Sequence, residues 1–358
     1  MDLLFIIGNG FDLSCGAKTS YLDVYKEYVK EPSNSEVVSQ FKKAIKGDIN
    51  KWSDFEITMG QYACNLNNES EFIECVRDFS VFLNRYLKKI NDSYIEEFKM
   101  PGMLADLDEE IWKLFNDFYI GITNDTKHEM NARGANKPET ISVISFNYTT
   151  IFDNIIGDSL FSVGNPEPII HVHGTLEEGI VMGVDSIDYI DSEYTLSGVG
   201  ERCFIKPKLN EAFDKRRVER AYFKIDKANV ICVFGAELGE SDLNWRNKII
   251  SWLGERKDNI LFVFLHESNS PDGMTLDQKI ENEQKERREL MRKWQIDEEY
   301  FDQIRVQCRK DVFNPRSIIE SREGAIKKDT EDKIKKGREA VEKQLSENGK
   351  RPLENGVK

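Results

Sequence analysis

The sequence of 358 residues lacks the features of disulfide-stapled, zinc-binding and membrane-spanning proteins. Six cysteines are scattered along it without any C-x-x-C pair: Cys15, Cys64, Cys75, Cys203, Cys232 and Cys308. This spacing predicts reduced thiols in a cytoplasmic protein, not a disulfide framework or a cysteine zinc site. No apolar run approaches the roughly 20 residues of a membrane span, so no membrane contact is expected. The N-terminus, with Asp2 and no basic segment, predicts no signal peptide.

Basic residues are outnumbered by acidic ones, 50 to 64, and histidine is scarce. The net charge is −14, which argues against a protein that tracks nucleic-acid phosphates with a basic face. The chain has four histidines, and two of them, His171 and His173, stand two positions apart. Such a pair can begin a transition-metal site. Metal-dependent phosphoesterases need several further histidines at set places, so no metal is expected here.

Short apolar runs alternate with helical patterns along most of the chain. Each run is typical of a strand that is buried on both faces. The runs cover residues 3–7, 141–146, 169–173, 180–184, 229–235 and 258–265, and a late strand and turn are predicted at 304–312. Strands interleaved with helices predict an α/β fold with a doubly wound, mostly parallel, Rossmann-like sheet.

Two long segments do not fit a simple alternation of strands and helices. Residues 36–130 show helical spacing, with helices expected at 52–56, 72–87 and 111–118. This segment is too long for a crossover, and we interpret it as a helical insertion that covers the site. We predict one α/β domain over residues 1–270. A charged helical extension is predicted over 271–358, with an exposed helix near 282–289 and partial disorder in the tail.

A glycine turn follows the first apolar run. Gly8 and Gly10 allow a sharp turn and a close approach of the backbone to a ligand. The dinucleotide fingerprint G-x-G-x-x-G is incomplete, because Leu13 stands where its third glycine would be. The turn is therefore either the floor of a nucleotide site or an ordinary turn.

Polar clusters follow four of the apolar runs, at residues 8–12, 147–149, 171–174 and 235–242. The carboxyl ends of parallel strands converge at one edge of a sheet, so the four clusters are expected to meet there. This expected convergence, more than any single motif, predicts a ligand site.

Several side chains in or near these clusters admit two interpretations. Asn147 either holds a ribose hydroxyl or a water, or caps the following helix. His171 and His173 are expected to share one face of a strand, with their rings side by side. His173 is interpreted as a proton-transfer group near neutral pH, whereas His171 is either functional or a support for the sheet.

Three further acidic side chains are interpreted more conservatively. Asp54 and Glu56 fit an ordinary exposed acidic helix face. Asp242, after Ser241, is expected to cap the next helix, with the ligand also within its reach.

The spacing of these blocks resembles a known family. Residues 8–13, followed by Gly16, Thr19, Tyr21 and Asp23, resemble the N-terminal signature of the AbiH family of bacterial abortive-infection proteins. The blocks at 146–149, 171–174 and 234–242 resemble that family's other motifs. More distantly, the chain is similar to sirtuin-like domains, which have a glycine turn, a strand-end asparagine and a histidine before glycine.

The similarity to sirtuin-like defence NADases implies a set of site residues. Carried over by position, it implies Asn147 and His173 as the catalytic pair, and Asp12 is the carboxylate best placed to face a cationic ring. The implied nucleotide contacts are Gly8, Asn9, Gly10, Phe11, Thr19, Tyr148, Thr149, His171, Gly235, Ser241 and Asp242. His171 has no counterpart in the sirtuin-like pattern.

The chain departs from these patterns at two places. Asn9 and Phe11 differ from the sirtuin-like turn, and Ala236 with Glu237 replaces a His-Ser pair that is usual in AbiH-like chains. The resemblance implies an antiphage protein that binds NAD and hydrolyses its nicotinamide–ribose bond. A nucleotide sensor or interaction module without turnover, or a metal-dependent nuclease, stays open. A phage-derived trigger, a partner defence protein and a homo-oligomer are compatible with such a role.

Overall fold

The computed structural model describes residues 1–98, 118–119, 124–135, 138–156, 165–265 and 275–308. Over these residues the strands are β1 (Asp2–Ile7), β2 (Thr140–Ser145), β3 (Asn165–Pro166), β4 (Ile170–His171), β5 (Gly174–Thr175), β6 (Gly179–Ile180), β7 (Val230–Phe234), β8 (Ile260–Leu265) and β9 (Ile304–Cys308). The α-helices are α1 (Gly10–Ser14), α2 (Tyr21–Tyr28), α3 (Glu36–Gly47), α4 (Phe55–Tyr62), α5 (Glu69–Phe98), α6 (Asn124–Ala132), α7 (Ile151–Ile156), α8 (Gly198–Phe204), α9 (Lys206–Phe213), α10 (Lys215–Lys227), α11 (Leu243–Glu255) and α12 (Leu276–Trp294).

The main sheet is parallel and has the strand order β3-β2-β1-β7-β8-β9. Strands β3 and β4 pair with opposite ends of β2, so together they occupy one position of the sheet. The six positions therefore follow the doubly wound order of Rossmann folds, third-second-first-fourth-fifth-sixth. The predicted α/β fold with a mostly parallel sheet is confirmed.

Both faces of the central strands are buried, which explains their unbroken apolar sequences. Successive side chains of β1 point to opposite faces. Leu4 and Ile6 join the core beneath α10, α11 and α12, which includes Trp252. Phe5 packs edge-on against Phe118, with ring centroids 6.0 Å apart.

Three glycines lie where the ends of β1 and β7 meet, at the point where the strand order reverses. The Gly10 backbone N–H donates to the Gly235 carbonyl oxygen over 2.9 Å. A Cβ on Gly235 would lie 2.7 Å from the Phe11 nitrogen, and Gly235 has a φ of +69°. A Cβ on Gly8 would lie 2.5 Å from the Ala236 Cα. The sharp turn after the first strand thus needs glycine because two backbones touch.

The segment between β1 and β2 is helical over its described part and has an aromatic core of its own. Phe55 of α4 stacks on Phe79 of α5 with ring centroids 3.8 Å apart, and Tyr25 and Phe41 pack around them. The predicted helical insertion is thus found between the first two strands. Most of the helix expected at 111–118 lies outside the described residues.

Three expectations about the elements are wrong. Strand β4 ends at His171, so His171 and His173 do not share a strand. The apolar run at 180–184 contributes only β6, which pairs antiparallel with β5 in a separate small sheet. The charged helix near 282–289 is not simply exposed. On α12, Glu286 and Arg287 are buried, and Leu290, Met291 and Trp294 join the core.

Residues beyond 270 also extend the main sheet. Strand β9 pairs in parallel with β8, from Ile304 opposite Leu261 to Cys308 opposite Leu265. The predicted division of the chain at residue 270 stays a prediction. The expected disordered tail, and the rest of the turn predicted to residue 312, lie outside the described residues.

Candidate functional site

A cavity of about 270 Å³, here called cavity I, lies at the carboxyl ends of β1, β2 and β7. Tyr21 of α2 lines it as well, together with Glu56 and Leu83 of the predicted helical insertion. Residues from all four polar clusters line it, including Gly8, Asp12, Asn147, His173, Gly235 and Asp242. The predicted convergence of the strand ends is therefore observed.

Asp12 is a buried carboxylate at one wall of cavity I. Its Oδ1 accepts a hydrogen bond from Asn147 Nδ2 over 2.9 Å, and its Oδ2 accepts one from the Thr149 hydroxyl. Burial raises the pKa of Asp12 to about 7, although the hydrogen bonds from Thr149 and Asn147 oppose the rise. Asp12 therefore fixes Asn147, and near neutral pH it can exist with or without its proton.

Asn147 is held from both sides. Besides the bond to Asp12, its carbonyl oxygen lies 3.1 Å from His171 Nδ1. The side-chain Oδ1 of Asn147 is buried and has no hydrogen-bond partner within the part of the chain that the structure describes. An unpaired buried acceptor costs roughly 1–3 kcal/mol. Asn147 thus presents an unused acceptor in a residue that lines the cavity.

His171 supports this arrangement from outside cavity I. Its Nε2 lies 2.9 Å from Asp153 Oδ1, so both ring nitrogens are engaged. Burial alone would lower the pKa of His171, but the Asp153 carboxylate outweighs burial and raises it. His171 does not line the cavity. The interpretation of His171 as a structural support agrees with these contacts.

His173 faces a buried ion pair. Its Nε2 lies 3.0 Å from Asp242 Oδ1, close enough for an ion pair but without the angle of a hydrogen bond. Lys206 Nζ binds the same carboxylate oxygen at 2.7 Å and the Ser241 carbonyl oxygen at 2.8 Å. Burial opposes ionisation of Asp242, yet Lys206 and His173 hold its pKa well below the ordinary value. Asp242 therefore stays a carboxylate beside His173.

The predicted cap role of Asp242 is wrong. Asp242 occupies the cap position of α11, but its side chain makes no cap hydrogen bond. The carboxylate turns instead to Lys206, because a buried ammonium binds it more strongly than an amide N–H.

A family comparison bears on this site. The sequence model described as "Bacteriophage abortive infection AbiH" matches residues 4–264. The chain belongs to the AbiH family. No curated protein gives a significant match. The matched range covers every element that lines cavity I, so the cavity is built from the family's own region.

The helical insertion of this AbiH protein contributes a buried carboxyl group that was predicted to be exposed. Glu56, expected on an exposed face, is 6% exposed and accepts a hydrogen bond from the Tyr21 hydroxyl over 2.8 Å. Burial raises the pKa of Glu56 to about 7, against the attraction of the Lys206 ammonium. Asp54 is half-buried and caps α4 through Ile57 N–H. The prediction of an exposed acidic face is therefore wrong.

The remaining predicted contacts divide between the cavity and its surroundings. Asn9 and Thr19 line cavity I and bind each other, with the Thr19 hydroxyl 2.6 Å from Asn9 Oδ1. Tyr148, Thr149 and Ser241 also line it. Phe11 packs edge-on against Phe152 at 4.9 Å and, like Gly10, does not line cavity I. Their predicted roles in nucleotide binding stay predictions.

The lining of cavity I is rich in carboxyl groups. Its acidic residues are Asp12, Asp54, Glu56, Glu237 and Asp242, and the basic side chain among the described lining residues is Lys206. No cluster of three metal-binding side chains occurs within the described ranges. Above about pH 7, where Asp12 and Glu56 are ionised as well, the carboxylates outnumber the lysine, and this charge balance favours a cationic group over a phosphate.

Sequence patterns did not place Lys206, Glu56 or Tyr21 in the site. Lys206 follows Phe204 and Ile205, and this apolar setting is the one local sign that its ammonium is buried. Glu56 follows Trp52 and Phe55 in an aromatic segment, which fitted a buried position as well as an exposed one. Only the packing of the insertion on the sheet brings these groups to cavity I.

The pKa of Asp12 predicts a pH dependence of folding stability. The folded state holds a proton up to about pH 7, whereas the unfolded carboxyl releases it near pH 4. The free energy of unfolding should therefore fall as pH rises from about 4 to 7, by roughly 2–4 kcal/mol, and then level off. Urea unfolding at pH 5 and pH 8 measures the total difference, to which Glu56 contributes in the same direction, and Asp12→Asn should remove the part that belongs to Asp12. If the free energy of unfolding of Asp12→Asn falls with pH as steeply as that of the wild type, the prediction is contradicted.

The structure also bears on membrane association. Within the residues it describes, none of the helices combines the length and the apolar character that crossing a bilayer requires.

Proposed function

We propose that this AbiH protein binds NAD in cavity I and hydrolyses its nicotinamide–ribose bond. The family is one of bacteriophage abortive infection, and depletion of NAD would stop both the host and the phage. The observation that carries the proposal is the Asp12–Asn147 pair, because the buried Asn147 Oδ1 accepts no hydrogen bond from any described residue and lies beside a cavity lined by carboxyl groups.

The proposed reaction converts NAD and water into nicotinamide, ADP-ribose and a proton. The C–N bond to nicotinamide breaks with its electron pair leaving on the ring nitrogen, and a C–O bond forms to water. Positive charge builds up on the ribose as in glycoside hydrolysis. The carboxyl groups of cavity I, with Asp12 among them, would stabilise that charge.

Asn147 and His173 have separate roles in this reaction. The Asn147 Oδ1 would accept a hydrogen bond from a ribose hydroxyl or from the attacking water. The His173 ring, beside the ionised Asp242, would accept the proton of that water or orient a ribose hydroxyl. Asp242 would stabilise the imidazolium that forms.

The test is to incubate the purified protein with NAD, with and without extract of phage-infected cells, and to measure nicotinamide by chromatography. Release that His173→Ala abolishes supports the proposal. Binding of NAD by calorimetry without release under any trigger would favour the nucleotide sensor. Absence of both binding and release would overturn the proposal. A nuclease would instead cleave DNA or RNA in a reaction that chelators stop.

A further inference from the structure

A second and larger cavity adjoins the first. This cavity II has a volume of about 800 Å³ and lies at the carboxyl ends of β7 and β8, beside α12. The two linings share Asn9, Tyr21, Ser53, Asp54, Gly235, Ala236 and Glu237, and the backbone at residues 9 and 235–237 is here called the ridge. Strand order reverses between β1 and β7, and this is where doubly wound sheets bind extended ligands. The two cavities therefore flank the switch point of the sheet.

Cavity I alone is small for a dinucleotide. Its volume of about 270 Å³ is below the roughly 300–1,000 Å³ of pockets that enclose drug-sized ligands. It has room for one end of such a molecule, and the acidic lining selects the cationic end. The other end must lie beyond the ridge.

The ridge and cavity II suit the remaining parts of the ligand. The backbone N–H groups of Asn9, Ala236 and Glu237 donate to no acceptor within the described residues. Free backbone N–H groups bind phosphate oxygens. Beyond them, cavity II offers an apolar wall that includes Phe264 and Trp294.

Carboxylates line the far side of cavity II. They are Glu286 and Glu289 of α12, while the acidic residues Asp54 and Glu237 line both cavities, and Lys293 is the basic side chain among the described lining residues. In dinucleotide sites an acidic side chain accepts the ribose 2′-hydroxyl. The same charge repels a 2′-phosphate.

We propose that cavity II is the adenosine subsite of the NAD site, and that it selects an unphosphorylated ribose. This inference rests on the proposed function, because it assigns the second half of the same ligand. The nicotinamide riboside lies in cavity I, the diphosphate crosses the ridge, and the adenosine lies in cavity II.

The steric test uses Leu22→Trp. Leu22 lines cavity II and is 44% exposed, so a larger side chain fills the cavity without entering the core. The KM for NAD should rise roughly tenfold with kcat unchanged, whereas the KM for nicotinamide mononucleotide, which has no adenosine, should stay the same. The matched control is Val81→Trp, which is 66% exposed and lines neither cavity.

The electrostatic test uses Glu289→Lys. The wild type should hydrolyse NAD in preference to NADP, and Glu289→Lys should narrow this preference roughly tenfold. The control Glu281→Lys reverses an exposed charge on the same helix but lies outside cavity II. It should leave the NAD-to-NADP ratio unchanged.

Two results would overturn the subsite. One is an equal effect of Leu22→Trp on NAD and on nicotinamide mononucleotide, and the other is a preference for NADP in the wild type. If the protein hydrolyses neither NAD nor nicotinamide mononucleotide, the proposed function fails. Calorimetry with ADP-ribose then tests whether cavity II binds adenosine without any reaction. Binding that Leu22→Trp weakens and Val81→Trp does not would support it. Absence of ADP-ribose binding to the wild type would refute it.

Discussion

Asn147→Ala should lower kcat for nicotinamide release by about 10²–10³-fold while ADP-ribose still binds. Asp12 and His171 hold Asn147 from two sides, which fixes the position of its Oδ1. A group that is held in advance needs no reorganisation when charge develops on the ribose. Its removal therefore affects the transition state more than the ground state.

Asn154→Ala is the matched control for this prediction. Asn154 is an asparagine near Asn147 in the sequence, but it donates to the Thr150 carbonyl oxygen at the surface and lines neither cavity. Single-turnover kinetics separates the chemical step from binding. If Asn147→Ala raises KM with kcat unchanged, Asn147 contributes to binding alone. If Asn154→Ala has the same effect as Asn147→Ala, the position of Asn147 has no special role.

Lys206→Met should destabilise the folded protein by about 3–5 kcal/mol. Lys206 is 2% exposed, and its ammonium compensates the buried Asp242 carboxylate at 2.7 Å. Methionine fills much the same volume but leaves that carboxylate without its main counter-charge. Domains have ~5–15 kcal/mol of stability in total, so the loss would be a large fraction of it.

The double variant Lys206→Met with Asp242→Asn separates charge from packing. It should recover most of the stability, because neither partner then leaves a buried charge. Lys215→Met is the control, since its partner Glu219 is 3.7 Å away at the surface and the pair contributes little. Urea unfolding gives the free energies. A double variant no more stable than Lys206→Met would mean that packing, and not charge, is lost.

The local sequence was enough to predict the strands of the main sheet except β3. The apolar runs at residues 3–7, 229–235 and 258–265 are typical of buried parallel strands, although the similar run at 180–184 contributes only to the small antiparallel sheet. The order of the motifs also indicated the family, and the convergence of the four polar clusters followed from the geometry of a parallel sheet.

Local patterns gave wrong predictions where a polar side chain could bind either a neighbour in the sequence or a distant residue. His171 and His173 were expected side by side, but β4 ends at His171 and the following turn directs the two rings to different carboxylates. Asp242 was expected to cap α11, yet a lysine 36 positions away binds it. Such competition is decided by residues that are distant in sequence.

The glycine turn after β1 shows what the local sequence determines and what the tertiary structure adds. The sequence alone determined that Gly8 and Gly10 make a sharp turn after a buried strand. Only the tertiary structure decided that this turn packs on Gly235 and forms part of a ridge between two cavities. Strand patterns can be recognised locally, because a strand that is buried on both faces has apolar side chains at consecutive positions. The burial of Lys206 and Glu56 depends on how the helical insertion packs over the sheet, and no local pattern encodes that packing.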